Sequence, residues 1–347
     1  MEPEAVAAGD QPPGPQVVRS WIERGVVHRD TSAAFHVLEV SPPGEKPARY
    51  AAGALRSFNG SERPLEEPLE PAPPRPLTAC VAADDHGVLG ALLEEATSGA
   101  PEAVQLAPDG ARARVFPVRA PGLSARFARA MDDVALRPLA PLPPGGPALV
   151  AVAPLSDEGI RLRSWHRGLR GLEVFQEDRF LTVVSGYARL YELGAPLSTA
   201  EGRAEAAERM ATLSRRSHAV LLVLPGGRGK ILRIRQDLEL EHYPAVPRNP
   251  TLRSVDLALL DALVLRTVLG IKDPERTEHV VAVPSLPELV ARVESGELQA
   301  GFALHPPPLW EIRAVIEAAQ SLPPRCVRVE PQPPQGLLFL DPGEQPA

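Results

Sequence analysis

The chain has 347 residues, a formal net charge of −7 from 37 Lys plus Arg against 44 Asp plus Glu, and 41 prolines. This acidic balance, with no basic run, argues against a nucleic-acid surface, which needs clustered Lys and Arg to displace counterions from phosphates. No segment approaches the ~20 apolar residues of a membrane span, and two distant cysteines, Cys80 and Cys326, argue against a disulfide framework or structural zinc.

Residues 1–16, "MEPEAVAAGDQPPGPQ", read as a disordered proline-rich tail lacking the basic start and apolar run of a secretory signal, so a cytoplasmic location is expected. Residues 17–135 read as a first α/β region. It opens with a helix over "QVVRSWIERGVV" and continues with strands over "AAFHVLEV" and "RYAAGALRSF", then an exposed proline-rich connection. A strand "TACVAA", a helix "GVLGALLEEATSG", a strand "ARARVFPV" and an amphipathic helix "GLSARFARAMDD" follow. Residues 136–147, "LRPLAPLPPGGP", are too rich in Pro and Gly for an element and read as a linker.

Residues 148–341 read as a second α/β region. A buried strand "ALVAVAPL" is followed by a charged helix from Ala200 with Thr199 as its N-cap. The run "HAVLLVLPGGRGKILRIR" is a hairpin. "VDLALLDALVLRTVLGI" is a helix ending at Gly270, and "HVVAVP", "SLPELVARVESGE" and "QAGFAL" read as strand, helix and strand. A helix from Leu309 with the apolar stripe Leu309, Ile312, Val315, Ile316 and Ala319 stops at Pro323 and Pro324, and "GLLFL" closes the chain as a strand. Interleaved helices and strands imply mixed sheets of the α/β or α+β class without a transmembrane segment.

Several tempting motifs fail on chemistry. "LPGGRGK" lacks the Ser or Thr and the following helix of a phosphate-binding loop, and reads as a turn. The eight histidines show no metal-ligand spacing, so no metal is expected. Asp84 and Asp85, beside His86, read as helix caps. "SWHRGLR" places His166 and Arg167 in a stretch that would suit an anion, although a solvated basic loop is its simpler reading.

The segment "GFALHPPPLWEIRAVIEAAQSLPPRC", with "GLLF" after it, resembles the end of the prokaryotic family catalogued as domain of unknown function 1015. "SVDLALLDALVLRTVLGI", "WIERGVVHRDTSAAFHVLEV" and "ALVAVAPLSDEGIRLRSWHRGL" resemble that family in order and spacing, so the likeness spans most of residues 17–340. The family's D-G-H-H-R turn invites comparison with the ParB, sulfiredoxin and free-serine-kinase group, in which similar turns hold nucleotide phosphates. Here the corresponding stretch is "VALRPLAPLPPGG", with neither the histidines nor the Asp-Gly pair. The family's Asn-Pro-Thr becomes His305, Pro306 and Pro307, its "PQKST" turn becomes "PPRCV" with Arg325 for Lys and Cys326 for Ser, and a helical histidine falls at Asp261. The resemblance leaves His166, Arg167, His305 and Arg325 as candidate ligand-binding residues.

Residues that act as a unit are strongly non-additive, so several losses together imply a degenerate, non-catalytic member that binds or regulates through a small molecule or protein. The alternative is an ATP- or ADP-dependent phosphotransferase resembling free-serine kinases, with a rearranged site built from His166, Arg167, His305 and Arg325; it lacks an obvious carboxylate partner for Mg²⁺, although Asp157, Glu158 and Asp261 are available. Partition-type DNA binding is the least compatible with the acidic balance.

Overall fold

The computed structural model describes residues 35–55, 78–82, 87–107, 109–133, 136–138, 148–173, 175–214, 217–318, 320–334 and 337–338. The expected tail and first helix, the proline-rich connection before residue 78, the Asp84–His86 cluster and most of the closing strand lie outside these residues. The chain divides into two compact units, Met1–Arg161 with Val329–Ala347, and Leu162–Arg328.

The first unit is built on β1 (Phe35–Ser41), β2 (Ala48–Leu55), β3 (Thr78–Ala82), β4 (Ala103–Leu106), β5 (Arg112–Val118), β6 (Leu136–Pro138) and β7 (Ala148–Pro154). They form a seven-stranded sheet in the order β4-β5-β1-β2-β7-β3-β6, with β3 and β7 parallel and the other pairs antiparallel. Val37, Phe116, Val150 and Val152 pack with Leu89, Leu92 and Leu93 of α1 (Val88–Ala96) and Phe127 of α2 (Pro121–Asp133). Burying each such Leu or Phe side chain contributes ~1.5–3 kcal/mol. At the end of the same strand Glu39, 2 % exposed, lies directly across from Arg49 on β2 and Arg114 on β5 and pairs with both. Register thus supplies the two guanidinium groups that a buried carboxylate needs.

Of the expected linker 136–147, residues 139–147 lie outside the described residues. Its first three residues form β6, and Pro138 is tolerated because β6 is an edge strand. The strand after it, β7, does not open a second region: its apolar run fills the gap between β2 and β3.

The chain leaves and re-enters the first unit at β8 (Arg161–Ser164) and β15 (Val327–Glu330), which form a two-stranded sheet. The second unit holds β9 (His166–Leu169), α3 (Glu177–Val184), β10 (Ala188–Glu192), α4 (Ala200–Ser214), β11 (Ala219–Leu224) and β12 (Arg228–Ile234). A 3₁₀ turn (Leu240–His242), α5 (Pro250–Arg253), α6 (Asp256–Leu259) and a π-helix (Leu260–Val268) follow. Then come β13 (Val280–Val283), α7 (Leu286–Glu294), β14 (Ala300–Leu304) and α8 (Leu309–Glu317). The sheet order is β10-β12-β11-β14-β9-β13, antiparallel throughout.

Sequence chemistry fixes many of these boundaries. Thr199 Oγ1 accepts from Gly202 N–H at 3.0 Å and starts α4, while Ser285 caps α7 by accepting from Glu288 N–H at 3.3 Å. The β11–β12 turn uses Gly226 and Gly227 at φ 75° and 67°, in the left-handed region that suits glycine.

One face of the second sheet packs Leu221, Val223 and Ala303 against α4 and α7. The alternate residue Phe302 meets Phe180 of α3 edge-on, with ring centres 6.1 Å apart. Gly168 and Gly301 are register partners, and a Cβ on either would lie 2.5–2.6 Å from Leu298 or Leu289. Two missing methyls therefore let Leu298 and α7 seat directly on the backbone of β9 and β14.

Candidate functional site

All four residues singled out in sequence lie in the second unit, at the end of the sheet near β9, β14 and the turn after α8. "SWHRGLR" is not a solvated loop: Ser164 and all of β9 are buried, and β9 is flanked by β13 and β14. His166 Nδ1 accepts a 3.2 Å hydrogen bond from Leu304 N–H. Burial, reinforced by Arg328 and Arg167, lowers its pKa to about 4, so the ring is neutral at physiological pH with its proton on Nε2.

Arg167 is 5 % exposed, and its guanidinium donates to Pro324 O at 2.9 Å and Arg325 O at 3.2 Å. It therefore clamps the proline turn by its carbonyls. Arg325 contributes that carbonyl from a left-handed backbone, φ 51°, while the residue itself is exposed. Asp261, in the π-helix, is 7 % exposed and feels the Arg167 charge, yet its Oδ1 has no hydrogen-bond partner among the described residues. Burial lifts its pKa to about 6 against the opposing pull of Arg167. Asp157 and Glu158 belong to the first unit, where Asp157 accepts from Gly159 N–H at 2.7 Å and Glu158 pairs with Lys46. Among the described residues no group of three or more His, Cys, Asp or Glu is placed to hold a metal ion.

His305 faces different surroundings, because it lines a cleft of about 230 Å³ wholly within the second unit. Its carbonyl accepts from Ser164 Oγ at 3.0 Å, and its Nδ1–H donates to Pro306 O at 2.9 Å. Across the lining, His218 precedes β11 and Asp256 opens α6. Their Nδ1 and Oδ1 lie 2.8 Å apart, so the imidazole is oriented by a carboxylate that is itself only 16 % exposed.

Asp256 is displaced upward in pKa by burial and held down in part by His218 and His305. Glu311, in the first turn of α8, is raised to about 7 by burial and by the Asp256 charge, with His218 opposing. Ser214 Oγ is buried in this lining without a partner among the described residues, and Trp310, 65 % exposed, stands on it as well.

Cys326 also lines the cleft, but complete burial pushes its thiol up to about 12, so it is no thiolate nucleophile at neutral pH. Arg233 Nε donates to Ser217 Oγ at 3.1 Å, and the described lining itself carries no Lys or Arg. The arrangement is a small acidic polar cleft with an oriented imidazole, a carboxyl group that exchanges its proton near neutral pH, and an exposed indole.

His218, Asp256 and Glu311 are residues of this candidate site that sequence reasoning passes over. His218 and Asp256 are 38 positions apart, and each is a polar residue where an apolar element begins, which is their one sequence signal. Glu311 in a first helical turn is already explained by the helix dipole.

No protein-family model matches the chain, and no curated protein matches it. Among solved structures it is similar to a conserved hypothetical protein from Pyrococcus furiosus, with 11 % identity and a TM-score of 0.32 over 79 % of this chain and 98 % of that one. It is similar also to a free serine kinase in complex with AMP, with 12 % identity and a TM-score of 0.31 over 81 % of this chain and 95 % of that one. A single-substitution mutant of a free serine kinase, in complex with ADP, matches at 11 % identity and a TM-score of 0.32 over 81 % of this chain and 95 % of that one. None of these structures is close enough to transfer the role of any residue.

Proposed function

We propose that the chain is a binding module that takes a small polar molecule in the cleft lined by His218, Asp256, His305 and Glu311, and that it is not a phosphotransferase. The observation that carries this reading is the sign and state of the polar groups. Phosphate recognition calls for guanidinium or ammonium donors. The guanidinium of Arg167 is committed to the carbonyls of Pro324 and Arg325, and the cleft presents carboxyl, imidazole and hydroxyl groups instead. A volume of about 230 Å³ lies below the ~300–1,000 Å³ of drug-sized pockets, which favours a ligand smaller than a nucleotide.

The test is the thermal unfolding midpoint of the full chain against two sets of ligands. The first contains ATP and ADP with Mg²⁺, with and without free serine; the second contains small amines, polyols and amino acids at millimolar concentration. A ligand at about 100 times its Kd adds roughly 2.7 kcal/mol, which moves the midpoint by several degrees. A shift from the second set alone is expected. A shift with nucleotide and Mg²⁺ that is accompanied by phosphate transfer to serine would replace this reading by the kinase one.

A further inference from the structure

Resting on the binding reading just given, we infer that the ligand of the cleft is a small organic cation, a primary amine or quaternary ammonium, held between the Asp256 and Glu311 carboxyl groups and the Trp310 ring. Three independent observations converge on that chemistry. The described lining carries two carboxyl side chains and neither Lys nor Arg, with the His218 imidazole beside both carboxyl groups. An exposed aromatic side chain stands on the same lining, and a ring face near carboxylates attracts a cation through its quadrupole. Ser214 Oγ is buried there with no hydrogen-bond partner among the described residues, and Nε2 of His305 is not engaged by the bond to Pro306, so the polar end of such a ligand has further partners as well.

The electrostatics add a proton linkage. Burial and then the Asp256 charge disfavour ionisation of Glu311, with His218 opposing at both carboxyl groups and His305 at Asp256; a bound cation would oppose that penalty and draw the Glu311 carboxyl into its ionised form. Binding at pH 6 then expels a proton, and binding at pH 8, where Glu311 is already mostly ionised, does not.

The experiment is calorimetric titration of choline and ethanolamine into the full chain. The neutral isosteres 3,3-dimethylbutan-1-ol and ethylene glycol run alongside, in two buffers of different ionisation enthalpy. The cations are expected to bind about tenfold or more tightly than their isosteres. Proton release should occur at pH 6 and vanish at pH 8. Glu311→Gln should remove the proton release and Trp310→Ala the preference for choline, while Trp310→Phe keeps that preference; circular dichroism confirms that each variant folds.

Equal binding of cations and isosteres would overturn the assignment of a cation and leave the binding module standing. Binding of neither, where a polyol or amino acid shifts the unfolding midpoint, would also overturn it and redirect the ligand class. Binding of neither, with no midpoint shift from any small molecule, would overturn both readings.

Discussion

Removing the Arg167 side chain separates a structural clamp from a ligand-binding residue. In Arg167→Ala the carbonyls of Pro324 and Arg325 lose donors now at 2.9 and 3.2 Å, and charge-assisted hydrogen bonds contribute ~1.5–3 kcal/mol each. Removing a buried guanidinium also removes its desolvation cost, which offsets part of that loss, so a net destabilisation of about 2–4 kcal/mol is expected at pH 7.

The loss should depend on pH. Asp261, with its pKa raised to about 6, is mostly ionised at pH 7 and stabilised by the Arg167 charge, whereas at pH 5 it is mostly protonated in either protein. A carboxyl whose folded pKa is raised favours the folded state at low pH, and that contribution fades as pH rises through the folded value. Without Arg167 the folded value climbs further, so the deficit of the variant grows from pH 5 to pH 7. For a unit spanning Leu162–Arg328, 2–4 kcal/mol corresponds to a midpoint roughly 4–16 °C lower by calorimetry. A variant with an unchanged midpoint at both pH values would refute the clamp and return Arg167 to the candidate ligand-binding residues.

Other expectations follow from the same geometry. Glu311→Gln should raise the unfolding midpoint more at pH 8 than at pH 5, because the pKa of about 7, raised by burial and Asp256 against His218, makes ionisation of the folded protein unfavourable above neutrality; equal effects at the two pH values would remove that coupling. Gly301→Ala should cost about 1–3 kcal/mol in chemical denaturation, since its Cβ would sit 2.6 Å from Leu289, and a neutral result would mean that α7 shifts freely. Thr199→Ala should cost about 1 kcal/mol through loss of the α4 cap, read from the same denaturation midpoint.

Local chemistry made most elements readable. Thr199 before an Ala-rich run, Ser285 three residues before Glu288, and a Pro-Gly-Gly turn between two apolar runs each have a physical reason that needs no tertiary context. Where the sequence reading departs from the structure, distant residues decide. "HRGL" has the composition of a loop and becomes a buried central strand because a turn more than 150 positions downstream supplies carbonyls for its guanidinium. "LDALVLRTV" reads as part of a helix from its largely apolar run. That same uniformity hides its π register, which appears as Leu269 N–H bonding to Val264 O.

The site was half legible. His305 lines the cleft, and His166 and Arg167 lie in the strand next to β14, where the Arg167 guanidinium is bound to the carbonyls of Pro324 and Arg325. The His218–Asp256 pair emerges only when a hairpin, a 3₁₀ turn and α5 have been folded between its members.

The most direct test compares ligand-induced thermal shifts in the unmodified chain, Asp256→Asn and Arg325→Ala. The small-molecule ligand giving the largest shift with the unmodified chain is used for all three. A cleft centred on Asp256, His218 and Glu311 predicts that the shift disappears in Asp256→Asn and survives in Arg325→Ala. A shift that survives the first substitution and disappears in the second would contradict the account and place recognition on the proline turn.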